Sequence, residues 1–178
     1  LSSDLGNNKG ISAFSGEAQR CGKAKWGFNN CCADGGWGED LGLDSCSTGE
    51  TTLALNKQAG KTYYIGGYCS KKVFLLGCTS TKYVYCTYPS KLARILIEQG
   101  KQQLGRNYGS AKFPDCQGFT LEELGRIDFS QADLSEYFHD MEQQHGTISE
   151  LDKAQVVSEI KARFGQNIKK NQPDLGRS

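Results

Sequence analysis

The sequence predicts an α+β fold that is rich in disulfides and in loops, and three observations carry this prediction. Eight cysteines, an even number, all lie before residue 117 of a 178-residue chain. Glycine reaches 22 residues while only 37% of residues are hydrophobic, so bridges are expected to restrain loops that a thin core cannot. A segment rich in β-branched and aromatic residues is followed by segments with helical periodicity.

The front of the chain predicts irregular, bridged structure followed by a small sheet. Residues 1–10 are polar and glycine-bearing, which is typical of a frayed end. Residues 11–88 form the predicted cysteine-rich and β part, with one short helix over Thr51–Gln58. Lys61–Tyr88 favours strands, and Gly77 with the polar residues after it predicts the turn of a β-hairpin or small antiparallel sheet.

Residues 89–164 are predicted to be mostly helical, and together with 11–88 they form one predicted domain, 11–164. Ser90 is a suitable cap for a helix to about Gln99, with Gly100 as its stop. Thr120 and Glu123 have the spacing of a capping box.

Two further helix starts are predicted toward the end of the chain. Ser130 or Asp133 is expected to start one helix, and Ser149 a last helix that reaches Phe164. Residues 165–178, with Gly, Asn, Gln, Lys and Pro, predict a disordered tail.

Charge and hydropathy exclude several classes of function. The net charge is +1, which gives no support for binding nucleic acid. The longest apolar runs are short, such as Val73–Leu76, far below the roughly 20 residues of a membrane span. No signal peptide begins at Leu1, so a chain that needs oxidation is expected to be a mature product or an excised fragment.

The cysteines favour structural disulfides over a metal or redox site. Zinc sites usually show paired C-x2–4-C knuckles, and redox enzymes show C-x-x-C; the sequence has neither. Oxidised cysteines in turn predict the periplasm or the cell exterior. The predicted framework comprises Cys21, Cys31, Cys32, Cys46, Cys69, Cys78, Cys86 and Cys116.

Eight cysteines allow 105 pairings, and spacing narrows only some of them. Cys69 and Cys86 lie almost symmetrically about Gly77–Cys78, which predicts a bridge across the hairpin. Adjacent Cys31 and Cys32 are expected to have different partners, within a knot that spans residues 21–46. Cys78 and Cys116 then pair by elimination.

No catalytic, metal or cofactor site is predicted. His139 and His145 are separated by six residues and so do not share a helix face, and the sequence has no G-x-S-x-G element. The tyrosines of the predicted hairpin are interpreted mainly as cross-strand pairs, with a contact surface as the alternative. They are Tyr63, Tyr64, Tyr68, Tyr83, Tyr85 and Tyr88.

A set of short motifs between Ile11 and Phe138 resembles the cysteine-rich C-terminal region of the TraN family. The double cysteine followed by Gly-Trp-Gly is the most specific of them. The motifs are Phe14-Ser15-Gly16, Arg20-Cys21-Gly22, Cys31-Cys32-Ala33-Asp34-Gly35-Gly36-Trp37-Gly38, Leu41-Gly42-Leu43 with Cys46, Tyr68-Cys69-Ser70-Lys71-Lys72-Val73, Tyr85-Cys86, Ser90-Lys91-Leu92-Ala93-Arg94-Ile95, Glu98-Gln99-Gly100, Tyr108-Gly109-Ser110-Ala111-Lys112 and Pro114-Asp115-Cys116-Gln117-Gly118.

The resemblance implies a function in plasmid conjugation. TraN-like proteins are exported to the outer membrane of Gram-negative donors, where they stabilise mating pairs for a type IV secretion system. In that family a variable upstream region contacts the recipient's outer-membrane protein. The chain is therefore expected to be a non-enzymatic scaffold at the outer membrane, cell surface or periplasm. Its expected partners are the rest of its own protein and the donor's conjugation apparatus, with no nucleic acid; a secreted enzyme or enzyme inhibitor is the alternative.

Overall fold

A three-stranded antiparallel sheet is followed by a series of helices, which confirms the predicted disulfide-rich α+β class. The computed structural model describes residues 13–26, 30–32 and 46–170. The strands are β1 (Glu17–Ala24), β2 (Thr62–Val73) and β3 (Gly77–Thr87), in the order β1-β3-β2. The helices are α1 (Thr48–Gln58), α2 (Lys91–Gln103), α3 (Leu121–Arg126), α4 (Ser135–His145) and α5 (Glu150–Lys170), with a 3-10 turn at Phe129–Gln131.

The chain divides into two units whose boundary differs from the predicted one. The sheet unit comprises Gly16–Arg94 and Asn107–Gln117. The helical unit comprises the other described residues, 13–15, 95–106 and 118–170. Asn107–Gln117 belongs with the sheet, and not with the helical part 89–164, because a disulfide joins Cys116 to Cys86 on β3. A single domain over 11–164 stays a prediction.

In the sheet unit, both faces of β3 are covered. On one face Val84, Cys86 and Tyr88 are buried, and Tyr108 from the segment after α2 stacks on Tyr63 with ring centroids 3.9 Å apart. On the other face α1 packs against β1 and buries Leu53. Successive side chains of a strand point to opposite faces of the sheet, so both sets are buried only when other segments pack on each face.

In the helical unit, packing around Phe119 replaces disulfides. Phe119 is fully buried, and its backbone pairs with Ala13. The predicted helix stop at Gly100 is wrong, since α2 continues to Gln103. A Cβ on Gly100 would lie 2.6 Å from the Phe119 ring and 2.9 Å from Ile127, so the glycine admits these side chains and does not end the helix.

Polar caps agree with the predicted helix starts in most places. Ser90 Oγ accepts from the Ala93 N–H at 3.1 Å, and Thr120 and Glu123 form the predicted capping box. Ser149 Oγ accepts from the Asp152 N–H at the start of α5. Helix α4 instead begins at Ser135, after both predicted starts.

The last helix corrects part of the predicted tail. Helix α5 runs to Lys170, so residues 165–170 are helical. Residues 1–10 and 171–178, and the Gly-Trp-Gly motif at 36–38, lie outside the described residues. Of the described helices, none combines the length and apolarity needed to cross a bilayer.

Candidate interaction surface of the hairpin

Four disulfides join all eight cysteines, and all four lie in the sheet unit. Cys21 bonds to Cys32 and Cys31 to Cys46, so the adjacent cysteines have different partners. Cys69 bonds to Cys78, nine residues away, and Cys86 to Cys116, thirty residues away. The first pair closes the end of the hairpin, whereas the second attaches a distant segment to the buried face of β3.

The predicted Cys69–Cys86 bridge is wrong, and so is the Cys78–Cys116 pair that followed from it. In the sheet, Cys69 lies opposite Thr81, and Cys86 lies opposite Tyr63. The hairpin turns between Val73 and Gly77, about two residues earlier than the predicted turn at Gly77–Cys78. That shift moves every cross-strand partner, because register follows the turn.

A half-buried acidic residue fixes the start of α1 against β1. Glu50 Oε1 accepts from the Gly22 N–H at 2.9 Å, Oε2 accepts from the Ser47 N–H at 3.0 Å, and Lys82 Nζ lies 3.5 Å away. Partial burial acts to raise the pKa of Glu50, but these hydrogen bonds and Lys82 outweigh it and hold the pKa below its usual value.

Beside Glu50, two cysteine sulfurs lie where metal ligands could lie, but a disulfide joins them and prevents metal binding. The sulfurs of Cys31 and Cys46 lie with a Glu50 carboxylate oxygen within 4.8 Å of one another. Both sulfurs are bonded to each other, so neither is available as the thiolate that a metal requires.

The six tyrosines of the predicted contact surface divide between packing and exposure. Tyr88 is 2% exposed and is therefore wrong as a contact residue; Gly16 approaches its ring closely enough to exclude a Cβ. Tyr63 is half-buried under Tyr108, and Lys57 Nζ lies 4.8 Å from the Tyr85 ring. Of these three, Tyr85 lies opposite Tyr64 across the hairpin, as the cross-strand interpretation predicted, whereas Tyr63 and Tyr88 pack against segments outside the hairpin.

Tyr64 is the tyrosine that faces solvent most clearly. It is 50% exposed and borders Tyr85 and Tyr83, with centroid distances of 5.1 and 6.3 Å. Partial burial, and then these two neighbours, raise the pKa of Tyr64 above its usual value. Tyr68 and Tyr83 are half-buried. The tyrosine surface is thus a row of partly covered rings with one exposed member.

The two most exposed large apolar residues that the structure describes, Phe74 and Leu75, lie at the hairpin tip, which we define as Val73–Leu76. Phe74 is 90% exposed, Leu75 91% and Leu76 52%. The sequence interpretation placed Val73 and Phe74 in a strand and gave the tip no functional role. A signal was present: an apolar run midway between Cys69 and Cys78 falls at a turn if those two cysteines pair.

The helical unit contains a separate groove that includes one of the two histidines. Its volume is 710 Å³, and its lining includes Ser135, His139, Glu142 and Lys153. His139 Nε2 lies 3.0 Å from Gln143 Nε2, and Lys153 Nζ contacts Glu142 and Glu150. Glu142 first, and then Glu150, raise the pKa of Lys153. Among the described residues, this groove brings together a hydroxyl, an imidazole and carboxylates.

Comparison with known proteins assigns the family. Residues 1–120 match the family model described as F-type Type IV secretion system, TraN. The chain is also 40% identical over 161 residues to the Mating pair stabilization protein TraN of Escherichia coli (strain K12), which covers 87% of this chain and 27% of that protein. The chain thus spans about a quarter of the length of that relative. No solved structure matches.

The geometry accounts for several of the motifs that carry the resemblance. Arg20-Cys21-Gly22 supplies a bridge and the N–H that binds Glu50, and Tyr85-Cys86 supplies the buried bridge to Cys116. Because the family model matches most of the chain and the curated relative is 40% identical, the chain belongs to the TraN family of F-type type IV secretion systems.

Proposed function

We propose that this chain is a non-enzymatic structural region of a mating pair stabilisation protein in plasmid conjugation. It acts at the outer membrane or cell surface of a Gram-negative donor. The observation that carries the proposal is the four-bridge sheet unit within a member of the TraN family. Bridges stabilise a loop-rich fold that has only a small core, which suits a part that holds another segment in a defined position.

The tyrosine row supports a structural role over recipient recognition. Tyr63 stacks on Tyr108, Tyr85 contacts Lys57 and Tyr64, and Tyr88 is buried, all within the sheet unit. Recognition usually depends on loops carried by a rigid scaffold. The proposed partners are therefore the rest of the same protein and the donor's conjugation apparatus, and the recipient's outer-membrane protein is contacted through another region.

A conjugation assay against recipients that differ in one outer-membrane protein tests this role. Cys86→Ser/Cys116→Ser in the parent protein is expected to lower transfer to every recipient alike, because the bridge supports the fold. Exchange of the region for that of a TraN protein with another recipient preference is expected to leave preference unchanged. If the exchange moved the preference, Tyr64 would become the first contact residue to replace.

The groove beside His139 allows the alternative of a secreted enzyme to be tested directly. The proposal expects no turnover on ester, peptide, glycoside and disulfide substrates. Activity that disappears in both Ser135→Ala and His139→Ala, but persists in the exposed-site control Leu151→Ser, would replace the structural role with a catalytic one.

A further inference from the structure

We propose that the hairpin tip inserts into the surface of a phospholipid bilayer that contains anionic headgroups. This inference goes beyond the proposed role in mating and can fail independently of it. The starting observation is exposure: residues 69–77 are exposed along the whole end of the hairpin, although adjacent positions point to opposite faces of the sheet. No described residue covers the tip.

The tip is a preformed structure. The Leu76 N–H donates to the Val73 carbonyl at 3.2 Å and closes the turn, and Val73 pairs with Gly77. Immediately behind it lie the Cys69–Cys78 bridge and the hydrogen bond from Thr79 Oγ1 to the Lys71 carbonyl at 3.1 Å. Backbone groups that are already paired enter an apolar environment at lower cost than free ones.

The backbone conformation of Leu75, at the apex of the tip, does not favour a leucine, so folding of the turn does not explain this side chain. Leu75 has φ 73°, in the left-handed region that glycine adopts more easily. Its side chain is nevertheless large, apolar and 91% exposed. Within the sheet unit, a glycine at this position would fit the turn better.

Charge around the tip complements an anionic surface. Lys71 and Lys72 are exposed directly beside it, and Lys23 and Lys25 are exposed at the end of β1 that pairs near the same end of β3. Of the seven Lys and Arg residues between Thr51 and Ile97, Lys71 and Lys72 lie at the tip end of the hairpin, and this stretch of sequence contains no Asp or Glu. Basic residues beside an apolar insertion are the combination that anionic membranes attract.

A tryptophan lies at the depth expected for the headgroup region. Trp26 follows β1, is 58% exposed, and has Lys25 Nζ 4.9 Å from its ring centroid. The Lys25 N–H pairs with the Thr79 carbonyl, two residues beyond Gly77. At about 3.3 Å per strand residue, Trp26 lies on the order of 10 Å behind the apex, and tryptophan prefers the membrane–water interface.

A second copy of the chain fits the tip less well. Four side chains at roughly 150 Å² each would offer at most about 600 Å² of apolar surface, and less because Val73 is only 36% and Leu76 only 52% exposed; a stable protein interface buries roughly 800 Å² per partner. Two tips facing each other would also bring Lys71 and Lys72 of both copies together, and such like charges repel. A bilayer needs no complementary pocket. It can accept a small convex apolar tip, and its anionic headgroups attract the lysines around that tip.

Vesicle co-sedimentation of the full chain tests the proposal. We expect the chain to bind vesicles of phosphatidylethanolamine and phosphatidylglycerol at 3:1, with binding that weakens as salt rises. Phe74→Ser/Leu75→Ser is expected to lower the partition coefficient by at least about tenfold, and Lys71→Glu/Lys72→Glu by about tenfold on the anionic vesicles only. Leu151→Ser, a change at an 83% exposed leucine of the helical unit, is the matched control and is expected to have no effect.

Leu75→Gly separates binding from folding. Glycine relieves the left-handed backbone, so the variant is expected to unfold at the same or a higher urea concentration while its vesicle binding falls several-fold. A Leu75→Trp variant measures how deeply the tip inserts. The fluorescence of the added tryptophan should be quenched by brominated acyl chains, and that of a Leu151→Trp variant should not. The proposal is overturned if the wild type ignores vesicles, if the tip variants bind as well as the wild type, or if they change only the oligomeric state.

Discussion

The two units of this chain are stabilised by different means. The sheet unit contains all four disulfides, and the four residues of its hairpin tip are apolar and exposed. The helical unit contains no cysteine and depends on buried side chains such as Phe119, Leu124 and Phe138. Bridges act largely by restricting the unfolded chain, whereas apolar packing acts in the folded state. A bridged unit can therefore keep its fold while a continuous run of apolar residues, Val73–Leu76, stays exposed to solvent.

The largest expected effect comes from the centre of the helical unit. Phe119→Ala should lower the free energy of unfolding by about 3–5 kcal/mol, because it removes a fully buried ring. Hydrogen exchange should show protection lost at Leu96 and Leu124 and retained at Val84. If protection were lost at all three sites together, the two units would unfold as one, and Phe119 would stabilise both of them.

The next effect compares two bridges within the sheet unit. In the chain-entropy model, loss of Cys86–Cys116 should cost about 3.6 kcal/mol and loss of Cys69–Cys78 about 2.6 kcal/mol, because the first closes a longer loop. Urea unfolding of the two double Cys→Ser variants measures the difference. The longer bridge is also buried, at 0% and 6% exposure, whereas Cys69 is exposed. A larger cost at the hairpin bridge would reverse this assignment.

A smaller effect separates two glycines in helices. Gly100→Ala should destabilise by about 1–2 kcal/mol, since the overlap with Phe119 exceeds the gain in helix propensity. The control is Gly49→Ala in α1, where no atom lies within 4 Å of the added methyl group, so the change should be neutral or slightly stabilising. Thermal unfolding of both variants checks the sign, and equal shifts would contradict the close packing at Gly100.

The smallest effect concerns pH and the sheet unit. The folded pKa of Glu50 lies below its unfolded value, so its contribution is present at neutral pH and is lost as pH falls through the folded pKa. Glu50→Gln should cost about 1 kcal/mol at pH 7 and flatten the loss of stability on acidification from neutral pH through the folded pKa of Glu50. Urea midpoints at several pH values measure this, with Glu159→Gln on exposed α5 as the control. Parallel wild-type and Glu50→Gln curves would remove Glu50 as the acid-sensitive group.

Local chemistry in the sequence determined much of the fold. The capping box of Thr120 and Glu123 and the cap at Ser90 depend on residues three apart, so their hydrogen bonds can be predicted without tertiary contacts. The strand-forming run over Lys61–Tyr88 and the even cysteine count likewise predicted the hairpin and the oxidised framework. The family motifs are also short stretches of neighbouring residues, which is why the sequence alone indicates the TraN family.

Tertiary structure alone decided the features that depend on distant residues. The turn at Phe74–Leu76, with Leu75 in a left-handed conformation that its residue type does not favour, set the register and hence the Cys69–Cys78 pair. Gly100 has the pattern of a helix stop until Phe119, nineteen residues later, packs against it. The burial of Tyr88 and the exposure of Phe74 could not be told apart by composition, because both are aromatic residues in one strand-forming segment. Burial depends on which segments return to cover a side chain, and that information is not local to it.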